Sequence, residues 1–132
     1  MTILSPDARA ESSASGKARP RLLMVEDDAM VSILLCEVLE EDYDVVHVAS
    51  SKEALRVLAE QRVDVILLDY LLPGGCGDEV ANRADKMGLP MAWMTGDPAS
   101  VEKLGVDSHP LLLKPFGIYK ILEVLIKIRN VL

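Results

Sequence analysis

The sequence predicts an α/β protein built on a five-stranded parallel sheet with helices on both faces. From Arg21 onward, five short apolar runs alternate with five segments of helical character, and strict alternation of that kind implies right-handed βαβ crossovers. The run 63–68 is apolar enough to be covered on both sides, as strands of a parallel sheet are. With 132 residues, half of them apolar, the chain has the size of one domain with a real core.

The first strand, Leu22-Leu23-Met24-Val25, stops at Glu26-Asp27-Asp28. Residues 29–41 then place Met30, Ile33, Leu34, Val38 and Leu39 near one face of a helix, with Asp28 suited to cap its first turn. Residues 44–48 form a β-branched second strand, and 51–61 a second helix carrying Ala54, Leu55, Val57 and Leu58 behind Ser50 or Ser51. The third strand ends in Asp69 and is followed by Pro73-Gly74-Gly75-Cys76-Gly77, a loop expected to hold no regular element. A modest helix over 78–87, a fourth strand over 91–94 and a short or irregular helix within 98–110 follow. Leu111-Leu112-Leu113 is the fifth strand, and 117–131 the last helix. Residues 1–20, rich in serine and without periodicity, read as a disordered tail preceding one domain over 21–132.

Charge excludes some functions. Lys plus Arg number 14 against 21 Asp plus Glu, and four of those cations but only two of the anions lie in residues 1–21, so residues 22–132 carry −9. Such a surface does not suit duplex nucleic acid, which requires clustered cations. There is neither a signal-peptide pattern nor a membrane-length apolar run, so the expectation is a soluble, cytoplasmic protein without membrane contact. Cys36 and Cys76 have no metal-ligand spacing and read as free thiols. His47 and His109 read as ordinary surface or strand residues, and Trp93 as core.

The polar residues gather at strand ends: Glu26, Asp27 and Asp28 after strand one, Asp69 after strand three, Thr95 after strand four, Lys114 after strand five. Ligands of open parallel sheets bind beyond those ends. If strand one lies between strands two and three, Asp27 and Asp69 become neighbours, and converging carboxylates require a cation or raised pKa values. Mg²⁺, a hard ion that keeps several waters, suits such a site. Lys114 and Thr95 facing a metal and a carboxylate describe a site for a tetrahedral dianion, with Asp69 as in-line nucleophile for a phosphoryl group.

Four motifs, Met24-Val25-Glu26-Asp27-Asp28, Leu67 through Gly74, Met94-Thr95-Gly96 and Leu113-Lys114-Pro115-Phe116, resemble the receiver domain of two-component response regulators over essentially all of 21–132. The resemblance implies a flavodoxin-like sheet ordered 2-1-3-4-5. It implies Mg²⁺ on Asp27, Asp69 and the backbone carbonyl of Leu71, with Glu26 assisting through water. It further implies a phosphoryl group accepted by Asp69 from a sensor histidine kinase or a histidine phosphotransfer protein, and a cis Lys114-Pro115 peptide bond. The implied role is that of a phosphoacceptor without a separate output enzyme: a single-domain regulator or phosphate relay acting on a downstream protein.

The pattern departs from the family at Leu111, where a Tyr or Phe usually stands, so a ring-flip readout is replaced by some other response, for which ordering of 96–110 is the expectation. Leu71 and Asp97 flank the path of a water that would attack the phosphoryl group. The last helix has one polar stripe, Lys120, Glu123, Lys127 and Asn130, and surplus apolar surface that, with Leu111, suits either a homodimer or partner face or deeper burial. Two other readings remain. One is a degenerate receiver serving as a phosphorylation-independent interaction module, which an intact Asp69, Thr95 and Lys114 oppose. The other is a haloacid-dehalogenase-type phosphatase, opposed by Leu71 where that chemistry wants a second acid.

Overall fold

The computed structural model describes residues 19–72, 75–96, 99, 109–114 and 118–130. Strand β1 (Arg21–Val25) leads into helix α1 (Ala29–Leu39), and β2 (Asp44–Val48) into α2 (Ser51–Glu60). After β3 (Val65–Asp69) come two short strands, β4 (Leu71–Leu72) and β5 (Gly75–Cys76), then α3 (Asp78–Met87). β6 (Met91–Thr95), β7 (Leu111–Leu113) and α4 (Ile118–Asn130) complete the order.

Five strands form one parallel sheet, β2-β1-β3-β6-β7. With the antiparallel β4-β5 ribbon set aside, this is the expected 2-1-3-4-5 order of a doubly wound sheet. Successive side chains of a strand point to opposite faces, which explains why the central strands are apolar without interruption. Leu22, Met24, Val65, Leu67 and Met94 enter a core closed by Leu35 and Leu39 of α1 and by Ile121, Val124 and Leu125 of α4. Their neighbours Leu23, Val25, Ile66, Leu68 and Trp93 enter a second core closed by Ala54, Val57 and Leu58 of α2 and by Val80, Ala81 and Ala84 of α3.

The helix ends follow local chemistry. Asp28 Oδ1 accepts from the amides of Met30 at 2.9 Å and Val31 at 3.2 Å, capping α1 as expected. Ser50 is the cap of α2: its Oγ accepts from the Glu53 amide, while Glu53 Oε1 reaches back to the Ala49 amide. Gly88 ends α3 at φ 70°, the left-handed position that favours glycine.

Three expectations need correction. The face of α1 turned to the core is Ser32, Leu35 and Leu39, whereas Met30, Ile33 and Leu34 are 67 %, 54 % and 59 % exposed. The helix is apolar around most of its circumference, so its sequence alone does not set its rotation, and packing against the sheet does. The segment after Asp69 is not devoid of regular structure, because Leu71 pairs with Cys76 and Leu72 with Gly75, and the Gly77 amide extends the ribbon to the Tyr70 carbonyl at 2.9 Å. Arg19 and Pro20, expected within the disordered tail, are tied to the domain, since the Pro20 carbonyl accepts from the Asp44 amide and the Arg19 guanidinium donates to the Glu40 carbonyl. Residues 1–18 and the irregular helix expected within 98–110, apart from Ala99, His109 and Pro110, lie outside the described residues. On α4, Ile126 is exposed while Leu122 is half-buried, and Leu113 of β7 is also exposed.

The rotation of α1 is tested by two adjacent leucines. Leu35→Ala removes a buried side chain and is expected to cost about 3 kcal/mol, whereas exposed Leu34→Ala should stay within about 0.5 kcal/mol, as read from denaturant unfolding midpoints. Equal losses would refute the orientation.

Candidate functional site

The parallel register brings the carboxyl ends of the strands into line: Val25 lies beside Leu68, Asp69 beside Met94, and Thr95 beside Leu113. The residues that end these strands therefore converge. Glu26 leaves β1 fully buried, its amide bonded to the Val48 carbonyl at 3.0 Å and its Oε2 accepting the Asp28 amide at 3.0 Å. Asp69 ends β3, 5 % exposed. Lys114, whose amide donates to the Thr95 carbonyl at 2.8 Å, turns its ammonium inward. Its Nζ lies 2.7 Å from Glu26 Oε1 and 3.0 Å from Asp69 Oδ2.

These two contacts differ in kind. The ammonium hydrogen-bonds Asp69 Oδ2, but toward Glu26 Oε1 the approach is a close ion pair outside hydrogen-bond geometry, and that oxygen has no hydrogen-bond partner among the described residues. Exposed Asp27 completes a group in which Glu26, Asp27 and Asp69 each place a carboxylate oxygen within 4.8 Å of the others. Three carboxylates against one ammonium leave a net −2 with all groups ionised. Burial pushes the Asp69 carboxyl up to about 6; Lys114 pulls it down and the Glu26 charge adds to the rise. Burial works to lower the Lys114 pKa, but the nearness of Glu26 and Asp69 outweighs it and holds the ammonium above its ordinary value.

The donor set fits a hard divalent cation. All its atoms are oxygens, its excess charge is two, and one buried carboxylate oxygen lacks a hydrogen bond. The Leu71 amide donates to Asp69 Oδ1 at 3.4 Å, tying the start of β4 to the carboxylate. Thr95 ends β6 fully buried. Thus Glu26, Asp27, Asp69 and Lys114 meet as expected, with Leu71 and Thr95 on the adjoining segments, and Glu26 engages Lys114 directly in addition to any role at a cation.

Some features were not marked in the sequence. Gly77 packs against the end of β3: a Cβ there would lie 3.1 Å from the Asp69 carbonyl and from the Leu68 side chain, closer than ordinary contact, yet nothing distinguishes it from the glycines preceding it. His47 is exposed on β2 and sets its Nε2 2.8 Å from the Glu26 carbonyl. His109, expected as an ordinary surface or strand residue, lies 3.0 Å from Asp85 Oδ1 of α3. Leu111 packs half-buried beside its register partner Trp93, which meets Tyr70 edge to face at 5.5 Å. At Gly96 a Cβ would meet, among the described residues, only Lys114 Cβ at 3.8 Å. Cys36 is half-buried, and burial with the nearby Glu40 raises its thiol pKa, in keeping with an unreactive free thiol. Asp97 and the Lys114-Pro115 bond, expected to be cis, involve residues outside the described ones.

Fold and site together define a doubly wound α/β protein with acids, a lysine and a threonine gathered at the carboxyl edge of its sheet. Residues 22–126 match the response regulator receiver domain, and the chain belongs to that family, the receivers of two-component signalling. It is 36 % identical over 104 residues to the DNA-binding response regulator MtrA of Mycolicibacterium paratuberculosis, a match covering 74 % of this chain and 46 % of MtrA. It is 32 % identical over 117 residues to the uncharacterized transcriptional regulatory protein YbdJ of Bacillus subtilis, covering 85 % and 50 %. The chain thus spans about half the length of these relatives. A CheY-like receiver domain protein from Methanospirillum hungatei superposes with TM-score 0.76 at 26 % identity, over 86 % of this chain and 95 % of that one. The receiver domain of a sensor histidine kinase from Pseudomonas aeruginosa, solved with magnesium in its active-site cleft, gives 0.75 at 25 % identity over 86 % and 99 %. Among the described residues no helix is long and apolar enough to cross a membrane.

The raised Asp69 pKa has a stability consequence. The unfolded carboxyl ionises near pH 4 and the folded one only near 6, so without a divalent cation stability falls as pH rises through that window and the penalty is complete above it. Asp69→Asn removes it: in chelator at pH 7.5 the variant should be more stable than wild type by about 1–2 kcal/mol, less at pH 5, and Mg²⁺ should narrow the gap. Thermal unfolding at the two pH values measures this, and a destabilised variant at pH 7.5 would contradict the assignment.

Proposed function

We propose that this receiver accepts a phosphoryl group on Asp69 from the phosphohistidine of a sensor histidine kinase or a histidine phosphotransfer protein, in a Mg²⁺-dependent reaction. The observation that carries the reading is the Lys114 ammonium held 3.0 Å from Asp69 Oδ2 in an acidic cluster fit for a divalent cation. Glu26, Asp27, Asp69 and the Leu71 carbonyl are the residues that would hold Mg²⁺. Bound there, the ion supplies positive charge against the phosphoryl oxygens.

The chain's own groups supply the rest. An oxygen of the Asp69 carboxylate attacks phosphorus in line; the P–N bond to the donor imidazole breaks, its electron pair returning to the ring nitrogen, and a P–O bond to Asp69 forms. Lys114 meets one equatorial oxygen with its ammonium, and Thr95 offers its hydroxyl to another. Burial of Asp69 keeps water from the acyl phosphate, and the lack of a side chain at Gly96 leaves room for the donor. The phosphorylated receiver is read by protein contacts in the cytoplasm, either as a regulator or as a relay. Its acidic surface, −9 over residues 22–132, opposes duplex DNA as a ligand of these residues.

Incubation with Mg²⁺ and acetyl phosphate should add one phosphate-sized mass, absent in Asp69→Asn and in chelator. Thr95→Val should retain the adduct but form it about 10-fold more slowly, as loss of one hydrogen bond to the transferring group predicts. No adduct, or one that survives Asp69→Asn, would leave the interaction-module reading in its place.

A further inference from the structure

We infer that the exposed apolar face of α1 is a docking surface for the chain's own N-terminal segment, which runs back from Arg19 along the helix and sets Ile3 and Leu4 on Met30, Ile33 and Leu34. This goes beyond the phosphoacceptor reading and does not depend on it.

The face is a continuous stripe. Met30, Ile33 and Leu34 share the solvent side of α1, each more than half exposed, and that side continues through exposed Glu37 to Glu40 and Glu41 at the end of the helix. Among the described residues no other helix exposes three large apolar side chains: α3 exposes Met87 and α4 Ile126. The apolar half of the stripe is therefore a surface of this helix in particular, left over after Ser32, Leu35 and Leu39 have turned to the core.

Two hydrogen bonds fix where the segment joins the domain. The Arg19 guanidinium donates to the Glu40 carbonyl at the carboxyl end of α1, and the Pro20 carbonyl accepts from the Asp44 amide at 2.9 Å. α1 has no basic residue in its last turn, so Arg19 is the cation that meets the negative end of the helix dipole. Fifteen residues separate Leu4 from Arg19, a length of chain with a root-mean-square reach of about 20 Å. From Glu40 back to Met30 the helix rises about 15 Å. The tether thus matches the face, and it presents Ile3 and Leu4 there at an effective concentration on the order of 1 mM.

Charge selects this occupant over a second copy. From Leu22 to Ser51 the chain carries eight Asp or Glu and no Lys or Arg. Two copies joined through α1 would set acid against acid. Residues 9–19 instead carry Arg9, Lys17 and Arg19 against Glu11, while Ile3 and Leu4 lie beyond Asp7. Counted from Arg19, the segment is first cationic and then apolar. Counted from Glu40, the stripe is first acidic and then apolar, so the two sequences match in order as well as in kind.

A photo-cross-link tests the docking. With benzoylphenylalanine in place of Leu4 in the full chain at low micromolar concentration, irradiation and peptide mass spectrometry should join residue 4 to the stretch 30–34 of the same molecule. The yield should fall several-fold in Ile33→Asp and in the double variant Glu37→Lys, Glu41→Lys, all at exposed positions that leave the core intact. Links scattered over α2 and α3, or none to α1, would overturn the inference. Links between molecules, rising with concentration, would put a second copy on the face and overturn it equally. In the ¹⁵N-labelled full chain, Ile3→Ser with Leu4→Ser should shift the amide resonances of residues 30–37 and leave those of α2 and α3 in place; unmoved α1 resonances would contradict the docking. Neither readout uses Mg²⁺ or a phosphodonor, so failure here leaves the Asp69 adduct experiment untouched.

Discussion

One ammonium between two buried carboxylates organises the active edge of this protein. Glu26 and Asp69 stand at the ends of adjacent central strands, and burying two carboxylates so close together is costly unless a cation accompanies them. Lys114 supplies it from the far edge strand, across β6. The site accordingly ties together three strands, β1, β3 and β7, that are far apart in the chain. Its geometry depends on the whole sheet being assembled.

The sheet can meet that requirement because its two faces are closed independently. α1 and α4 cover one core, α2 and α3 the other. Parallel strands covered on both sides are rigid, which holds the carboxyl ends in register to the precision the ion pairs need. The site residues sit where the packing stops, at the last residue of a strand or in the first one or two beyond it, and the acid repulsion tolerated there is a local cost offset by the two cores beneath it. The β4-β5 ribbon adds a third constraint, folding the chain after Asp69 back so tightly that Gly77 has room for no side chain without displacement.

Much of this was legible in the chain. The strands and the residues at their ends could be read because both signals are local: an uninterrupted apolar run, then an abrupt carboxylate, threonine or lysine. Asp28 and Ser50 could be read as caps for the same reason, since a cap acts within three residues of itself. The departure at Leu111 was equally visible, and the structure shows the leucine beside Trp93, whose own ring is occupied by Tyr70.

What the sequence by itself determined was the succession of elements and the chemical character of each strand end, because burial on both faces and backbone capping act on neighbouring residues. The tertiary structure alone decided the rotation of α1, whose apolar residues permit more than one buried face, and the close packing of Gly77 under Asp69. It alone decided that Glu26 meets Lys114 as well as its acidic neighbours. That pairing joins residues from opposite ends of the fold, and only the order of the strands in space brings them within 2.7 Å.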